Sequence, residues 1–276
     1  MTKLQTPLTN LLACALLLLG GTTFIGCGGV TDSTNDEQPG EQPGDGEGTE
    51  DGVADPNGDD DGDGYTNAEE DHAGTDPNDA DSVIYQGGWP YNMTKDTIED
   101  PGWDDTASVG SVLPHFIAMD QNEEMVDLYD FAFRGKKIVL DTGTPWCKPC
   151  KAIAAYLSDG DESHLNWKGP NDDQPEGPYP WWKEEYSDLY QMVQDGDIYW
   201  ITIIFTEATP IDIGDIQEWD ETYPNEHIPV LFDEDNELVN HIPVTCYPTL
   251  NILDENLEFL NVTSCGPFDG LRLLFP

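Results

Sequence analysis

The feature that most restricts the fold of this chain is a junction between a strand-like and a helix-like segment. Residues 136–143, KKIVLDTG, form a continuous β-branched and apolar run, which predicts a central buried strand. The run leads directly into TPWCKPCKAIAAYLS, whose alanines and Ile153 predict a helix beginning near Cys147. Cys147 and Cys150 therefore lie where the strand gives way to the helix. Such a pair can be a redox couple, half of a zinc site or a structural disulfide.

Other apolar segments predict strands that alternate with helices. Residues 115–131 predict a hairpin followed by a short helix, and residues 197–205, DIYWITIIF, predict a second buried strand. Residues 213–223 predict a helix, and residues 247–262 predict two strands around a tight turn. This alternation predicts an α/β fold with a central mixed sheet flanked by helices.

The N-terminus has the features of an export signal. Lys3 precedes an apolar run at residues 11–20 that is too short to span a bilayer. The following FIGC resembles a bacterial lipoprotein signal, which implies a signal peptide at residues 1–27 and a lipidated Cys27; a plain secretory signal cut nearby is the alternative. Either signal predicts an extracytoplasmic protein, in the periplasm or at the cell surface, where disulfides persist.

The chain is strongly acidic, which limits its partners. It has 56 Asp and Glu against 10 Lys and Arg, a formal charge of -46. This charge repels phosphate backbones and anionic headgroups and excludes nucleic acid as an expected partner. Metal cations, basic partners or simple solubility remain compatible with it. Residues 28–58, rich in acids, Pro and Gly, predict a disordered linker that acts as an extended tether.

An acidic segment at residues 59–82 follows the calcium-loop pattern of the EF-hand. It has alternating acids, a glycine at the sixth position and an acid at the twelfth. The tail GTDPNDADS resembles thrombospondin type 3 calcium repeats, which suggests one structural calcium site that stiffens the junction after the tether. A further stretch of acidic linker is the alternative. The predicted ligands are Asp59, Asp61, Asp63, the backbone carbonyl of Tyr65, and Glu70.

The C-terminal part, residues 108–276, resembles the thioredoxin superfamily. The resemblance is carried by the strand IVLD, the WCKPC motif, and YPT about a hundred residues later. It is closest to the exported thiol-disulfide oxidoreductases typified by TlpA and ResA. It implies a thioredoxin-like fold, preceded by a connecting segment at residues 83–107, and exchange of electrons with cysteine pairs of exported proteins and with a redox partner.

The position of the cysteines suggests a role for each. At a helix N-terminus, free amides and the helix dipole stabilise a thiolate at Cys147, and Lys148 and Lys151 add positive charge. Cys147 is therefore the expected exposed nucleophile, and Cys150 the resolving thiol.

The resemblance also implies roles for neighbouring residues. Asp141 matches the buried acid that carries a proton to or from the resolving cysteine, although an exposed strand-end aspartate is the alternative. A cis-proline is expected at position 248. The residues expected to contact substrate are Trp146, Tyr247, Pro248 and Thr249.

Two further cysteines lie on either side of the predicted C-terminal hairpin. A two-residue turn at Glu255 and Asn256 would place Cys246 directly across from Cys265, which predicts a structural disulfide. The alternative is that Cys246, close to Pro248, is a second reactive thiol.

An unusually long insertion, near residues 158–182, separates the predicted helix from the next strand. Its aromatic residues can form a partner-binding face or pack the insertion onto the domain. They are Trp167, Tyr179, Trp181 and Trp182.

Competing functions fit the sequence less well. Zinc would need a second pair of ligands, and the histidines are scattered. A peroxiredoxin would need proline where Leu140 stands. A calcium-stiffened surface scaffold on a redoxin fold remains the main alternative to a membrane-tethered thiol-disulfide oxidoreductase. Reductase, oxidase and isomerase activities are equally compatible with the motif.

Overall fold

The computed structural model describes residues 55–168, 177–207 and 209–275. The predicted signal peptide, Cys27 and nearly all of the linker lie outside the described residues. The strands are β1 (Ile117–Met119), β2 (Met125–Asp127), β3 (Lys137–Gly143), β4 (Asn166–Trp167), β5 (Gly177–Pro178), β6 (Ile198–Phe205), β7 (Val230–Asp233) and β8 (Thr249–Leu253). The α-helices are α1 (Asn67–Ala73), α2 (Lys148–Asp159), α3 (Leu189–Gln194), α4 (Ile213–Thr222), α5 (Glu237–His241) and α6 (Phe268–Leu274).

Six of these strands form one mixed sheet, in the order β2-β1-β7-β6-β3-β8. The neighbours β3, β6 and β7 run parallel, whereas β8 is antiparallel to β3 and β1 is antiparallel to both β7 and β2. Helices cover the sheet, and the strand that precedes the cysteine pair lies inside it. The chain therefore has the predicted thioredoxin-like α/β fold.

Alternation along β3 divides its side chains between two buried layers. Val139 packs with residues of α2, α3 and α6, which defines the α2 face of the sheet. Ile138 and Leu140 point to the opposite face, where they pack with α5 and with aromatic side chains from before β1. Because side chains on both faces of β3 are buried, the sequence of this strand is a continuous apolar run.

Residues 83–107, expected to be a connecting segment, are built into the domain core. Tyr85 and Trp89 are buried, and the Tyr85 hydroxyl donates to Asp130 Oδ2 at 2.7 Å while the Trp89 indole donates to Asp120 Oδ2 at 2.8 Å. Lys95 Nζ also donates to Asp130 Oδ2, at 2.8 Å. The described residues accordingly form one compact unit.

The C-terminal hairpin differs from its predicted register. The turn is one residue longer than expected, because the Asp254 N–H bonds to the Glu258 carbonyl at 3.0 Å and Leu257 adopts a φ of 64°. Two interactions stabilise the longer turn. The side chain of Leu257 is buried in the core, and the Asp254 carboxylate accepts the amides of Asn256 and Glu258. Beyond the turn, the predicted second strand is reduced to isolated bridges.

Aromatic packing holds the insertion after α2, as far as it is described, against the domain. Trp182 is buried and makes an edge contact with Tyr156 of α2 at 5.0 Å between ring centroids. Tyr179 stacks between Trp167 and Trp181. The structure thus favours the packing interpretation of these aromatic residues. Across the described ranges, no helix is long and apolar enough to cross a membrane.

Candidate redox site and calcium loop

Cys147 and Cys150 form a disulfide at the start of α2, with their Cα atoms 5.3 Å apart. Cys147 is the N-cap of the helix, and its Sγ accepts the backbone N–H of Cys150 at 3.1 Å. Pro149 occupies the first turn, where a missing amide costs little. A sulfur held among free amides at a helix N-terminus is stabilised as a thiolate once the disulfide opens.

Both cysteines are more enclosed than the sequence suggests. Cys147 is 5 % and Cys150 2 % exposed, whereas Cys147 was expected to be an exposed nucleophile. The reason is an apolar cluster in which the two cysteines pack with residues of α4 and β7, including Trp219 and Phe232. The preceding Trp146 is 39 % exposed and is the more accessible surface beside the disulfide.

A glycine at the end of β3 allows the cysteine helix to approach the sheet. A Cβ atom at Gly143 would lie 3.0 Å from the Sγ and 3.2 Å from the Cβ of Cys150. The last β3–β8 pair is Thr142 with Thr249, so Gly143 and Pro248 are the next residues toward the disulfide. The Tyr247–Pro248 peptide bond is cis. Cys150 therefore rests on a strand end that has no side chain of its own.

Asp141 lies two residues before Gly143, on the same face of β3 and roughly 7 Å away along the strand. It is buried, and its Oδ1 has no hydrogen-bond partner among the described residues. Burial raises the pKa of Asp141 to about 7, and the nearby Trp200 indole opposes this only weakly, since it lacks a well-formed hydrogen bond. A carboxyl group with this pKa can hold or release a proton near neutral pH.

The structure separates the expected substrate-contacting residues into two groups. Trp146 is exposed and Tyr247 is half-buried, and the Tyr247 hydroxyl donates to Glu207 Oε2 at 2.7 Å. Pro248 is buried beside them. Thr249, in contrast, is fully buried and shares a hydrogen bond with the Thr142 hydroxyl, so its side chain fixes β8 to β3 and cannot reach a substrate.

Three site features were not found from the sequence: the close approach at Gly143, the Thr142–Thr249 pair and the Tyr247–Glu207 hydrogen bond. The only available signal was the small-residue run DTGT at the end of β3. Runs of small residues are common at strand ends, so this signal alone does not specify which element packs against them.

Cys246 and Cys265 also form a disulfide, with Cα atoms 4.6 Å apart. The backbone amides of Thr245 and Cys246 both donate to the Ser264 carbonyl, at 2.7 and 3.2 Å. Cys246 is half-buried and Cys265 is exposed. The bridge thus closes two loop segments upon one another just before Pro248.

The acidic loop places carboxylates around one point. Ligand oxygens of Asp59, Asp61 and Asp63 all lie within 4.8 Å of one another. Gly62 and Gly64 have φ values of 84° and 102°, which permit the tight loop. A Thr66 N-cap starts α1, which carries the buried Glu70; Glu70 is not one of the three carboxylates that lie within this distance of one another.

Several carboxylate oxygens of this loop are buried without a partner. Oδ2 of Asp61, Oδ2 of Asp63 and Oε2 of Glu70 have none among the described residues. Burial, followed by the charges of Asp63 and Asp61, raises the pKa of Glu70. Convergent, desolvated carboxylate oxygens are the donor set that calcium prefers, so these residues fit a calcium ion. The side chain of Tyr65 points away into the core, where its hydroxyl donates to the Trp89 carbonyl at 2.6 Å.

Among known protein families, one matches the acidic loop. A family model of the bacterial TSP3 repeat matches residues 59–80. No curated protein sequence matches the chain.

Solved structures with a similar arrangement include exported redox proteins. The thioredoxin domain of a thiol-disulfide oxidoreductase from Bacteroides vulgatus is 14 % identical, with 62 % of this chain and 100 % of that chain covered and a TM-score of 0.40. A secreted Mycobacterium tuberculosis disulfide oxidoreductase is 19 % identical, covering 57 % and 91 %, with a TM-score of 0.36. An exposed lipoprotein thioredoxin of Streptococcus pneumoniae is 20 % identical, covering 58 % and 96 %, with a TM-score of 0.39. At these identities and TM-scores, the likenesses carry no functional conclusion for this chain.

Proposed function

We propose that the protein is a thiol-disulfide oxidoreductase that exchanges electrons with cysteine pairs of exported proteins. The observation that carries the proposal is the Cys147–Cys150 disulfide at the N-terminus of α2, with Gly143 beneath Cys150 and the buried Asp141 on the same strand face. A structural disulfide needs neither a helix N-terminus nor an acid with a pKa near neutrality.

The reaction of the oxidised protein begins at the more accessible sulfur. A substrate thiolate attacks Cys147 Sγ, the Cys147–Cys150 bond breaks, and its electron pair remains on Cys150 Sγ. The second substrate thiolate then attacks the mixed disulfide, so the substrate is oxidised by two electrons and Cys147 leaves as a thiolate. The helix N-terminus stabilises that leaving group. The same steps run in reverse when the reduced pair meets a substrate disulfide.

Asp141 supplies the proton that Cys150 needs during these reaction steps. When Cys150 is released as a thiolate in a closed, apolar setting, its negative charge is unfavourable until a proton arrives. The protonated carboxyl of Asp141 provides one, and in the reverse direction the carboxylate removes it. With a pKa of about 7, Asp141 can act in both directions near neutral pH.

The calcium loop is proposed to have a structural role in the same molecule. Asp59, Asp61, Asp63 and Glu70 would hold the ion, with a further oxygen from the Tyr65 backbone, and calcium would neutralise their mutual repulsion. The loop is joined to the redox domain through Tyr65 and through Arg134, which contacts Glu69 at 3.3 Å. We further propose that a lipid on Cys27 and the acidic linker hold this unit at a bacterial membrane, outside the cytoplasm.

The redox proposal is tested with single cysteine variants in an insulin-disulfide reduction assay. Cys147→Ser should abolish activity, because it removes the attacking sulfur, and Cys150→Ser should accumulate mixed disulfides that are visible on non-reducing gels. Wild-type rates in both variants would contradict the proposal. The matched control is the Cys246→Ser/Cys265→Ser double variant, which should retain activity.

The calcium proposal is tested by thermal unfolding with added calcium and with a chelator. Calcium should raise the unfolding temperature of the wild-type protein, because it binds the folded loop only. Glu70→Gln should reduce this shift, whereas Glu99→Gln, at an exposed site outside the loop, should not. An unfolding temperature independent of calcium would contradict the proposed site.

A further inference from the structure

The β1–β2 hairpin has an apolar outer face that the rest of the fold leaves open. Ala118 and Val126 point into the core, so Ile117 and Met125 point to the opposite side, which belongs to the α2 face of the sheet. Over β6 and β7, that face is covered by α4. On the hairpin, however, Ile117 remains 45 % and Met125 55 % exposed. A solvent-facing hairpin normally carries polar residues at such positions.

These side chains line a groove of about 420 Å³. Its walls include Ile211, Ile213 and Phe232, and these three residues also pack in the apolar cluster that contains Cys147 and Cys150. The groove and the disulfide therefore share one continuous apolar layer. A polypeptide bound along the groove would contact residues that also pack in the cluster around the disulfide.

The rim of the groove carries only negative charge. No lysine, arginine or histidine is among its lining residues in the described part of the chain. Asp233 is buried and accepts the Val239 amide at 3.0 Å. The exposed acidic residues of the rim are Asp212, Glu234, Asp235 and Glu237. An apolar floor with an acidic rim is complementary to apolar side chains flanked by basic ones.

Charge also excludes two other occupants. The linker at residues 28–58 has no lysine or arginine and many acids, so the rim repels it. A second copy of this chain, with a net charge of -46, is repelled in the same way. The favoured occupant is a segment of a different protein.

We propose that this groove binds polypeptide segments of the thiol substrates in which aliphatic or aromatic side chains are flanked by lysine or arginine. The proposal rests on the thiol-disulfide exchange proposed above and specifies its substrate class. The groove supplies apolar contact on the layer that also encloses the disulfide, and the rim selects basic segments over acidic ones.

The first test measures binding without redox chemistry. Three fluorescent, cysteine-free octapeptides are compared by anisotropy with the full-length oxidised protein: alternating Leu and Lys, alternating Leu and Glu, and alternating Ser and Lys. The Leu–Lys peptide should bind roughly tenfold more tightly than either of the others, because it alone matches both floor and rim. Equal binding of the Ser–Lys peptide would overturn the proposal, since the attraction would then be only that of the net charge.

Groove variants then locate the binding site. The rim variant Glu234→Gln/Asp235→Asn/Glu237→Gln and the floor variant Ile117→Ser/Met125→Ser should each weaken Leu–Lys binding roughly tenfold. Their controls change exposed residues outside the groove: Glu99→Gln/Glu184→Gln/Asp269→Asn for charge and Val109→Ser for apolar surface. If a control weakens binding as much as its groove counterpart, the groove is not the site.

A second measurement separates this proposal from the redox proposal. The rate of disulfide exchange is followed with dithiothreitol and with a dithiol peptide that carries the Leu–Lys flanks. Rim and floor variants should lose peptide kcat/KM and keep the dithiothreitol rate, which also shows that they are folded. Unchanged peptide kcat/KM in these variants would overturn the groove while the redox proposal stands; no exchange with any thiol in the wild type would overturn the redox proposal itself.

Discussion

The two disulfides of this protein differ in almost every property that affects reactivity. Cys147 and Cys150 are three residues apart, buried, and placed at a helix N-terminus above Gly143. Cys246 and Cys265 are 19 residues apart, and Cys265 is exposed on a loop. Accessibility alone would therefore favour the second pair, and not the pair proposed as the redox couple.

If the first pair is the redox couple, as proposed, the local groups around the sulfur matter more for reactivity than its exposure. The first pair has amides that stabilise a thiolate and a buried carboxyl group that titrates near neutral pH. The second pair joins two loop segments whose backbones are already hydrogen-bonded through Ser264. We expect one pair to open and close during function and the other to stay closed.

Asp141→Asn should give the largest change in this comparison. Because the pKa of Asp141 is raised from 3.8 to about 7, ionising it opposes folding; the penalty is absent below pH 4, grows as the pH rises, and is complete above about pH 7. The gap of about three pKa values corresponds to about 4 kcal/mol. The difference in unfolding free energy between the oxidised variant and the wild type should therefore shift by about 4 kcal/mol in favour of the variant from pH 4 to pH 8. Urea titrations measure it, and a pH-independent difference would show that Asp141 titrates normally.

Removing the second bridge should reduce stability and leave the chemistry in place. A closed loop of this length is worth about 3 kcal/mol through the entropy of the unfolded chain. Cys246→Ser/Cys265→Ser should lower the unfolding free energy by about that amount, and the reduction potential of the Cys147–Cys150 pair should not change. A large change in that potential would mean that the second bridge takes part in the redox reaction.

Gly143→Ala should give the smallest of these changes, confined to the first pair. Its methyl group would press on Cys150 Sγ, which is held rigidly in the disulfide and can rotate away in the reduced state. Preferential destabilisation of the oxidised form by about 1 kcal/mol raises the reduction potential by roughly 20 mV. Glutathione titration measures the potential. Gly177→Ala, where a Cβ meets no atom within 4 Å, is the matched control and should leave it unchanged.

The sequence predicted the part of the fold in which local signals are strong. The buried run of β3 and β6, the helix that starts at the cysteines and the hairpin at β1 and β2 all have clear periodicity, and the structure confirms them. The short β7 was missed, because its three apolar residues, between a proline and a run of acids, resemble a loop.

The remaining features depend on contacts between distant residues. Tyr85, Trp89 and Tyr91 are spaced by glycines and a proline without helix or strand periodicity, so nothing local indicated that they fill the core. The role of Gly143 depends on how α2 packs against the end of β3. The burial of Cys147 depends on its packing with side chains of α4. The bridge between Cys246 and Cys265 forms even though the predicted register was wrong by one residue, because loop backbone beyond the sheet absorbs the difference.

The packing of Tyr65, Tyr85 and Trp89 into the core determines where the protein can be shortened for laboratory work. A fragment starting at residue 108, the boundary suggested by family resemblance, would strip these rings from the sheet. It would also leave the buried Asp130 carboxylate without the donors Tyr85, Asn92 and Lys95, and it would remove the Trp89 indole from Asp120. We expect such a fragment to aggregate on expression. A fragment that begins before Asp55 keeps all the residues that form the core.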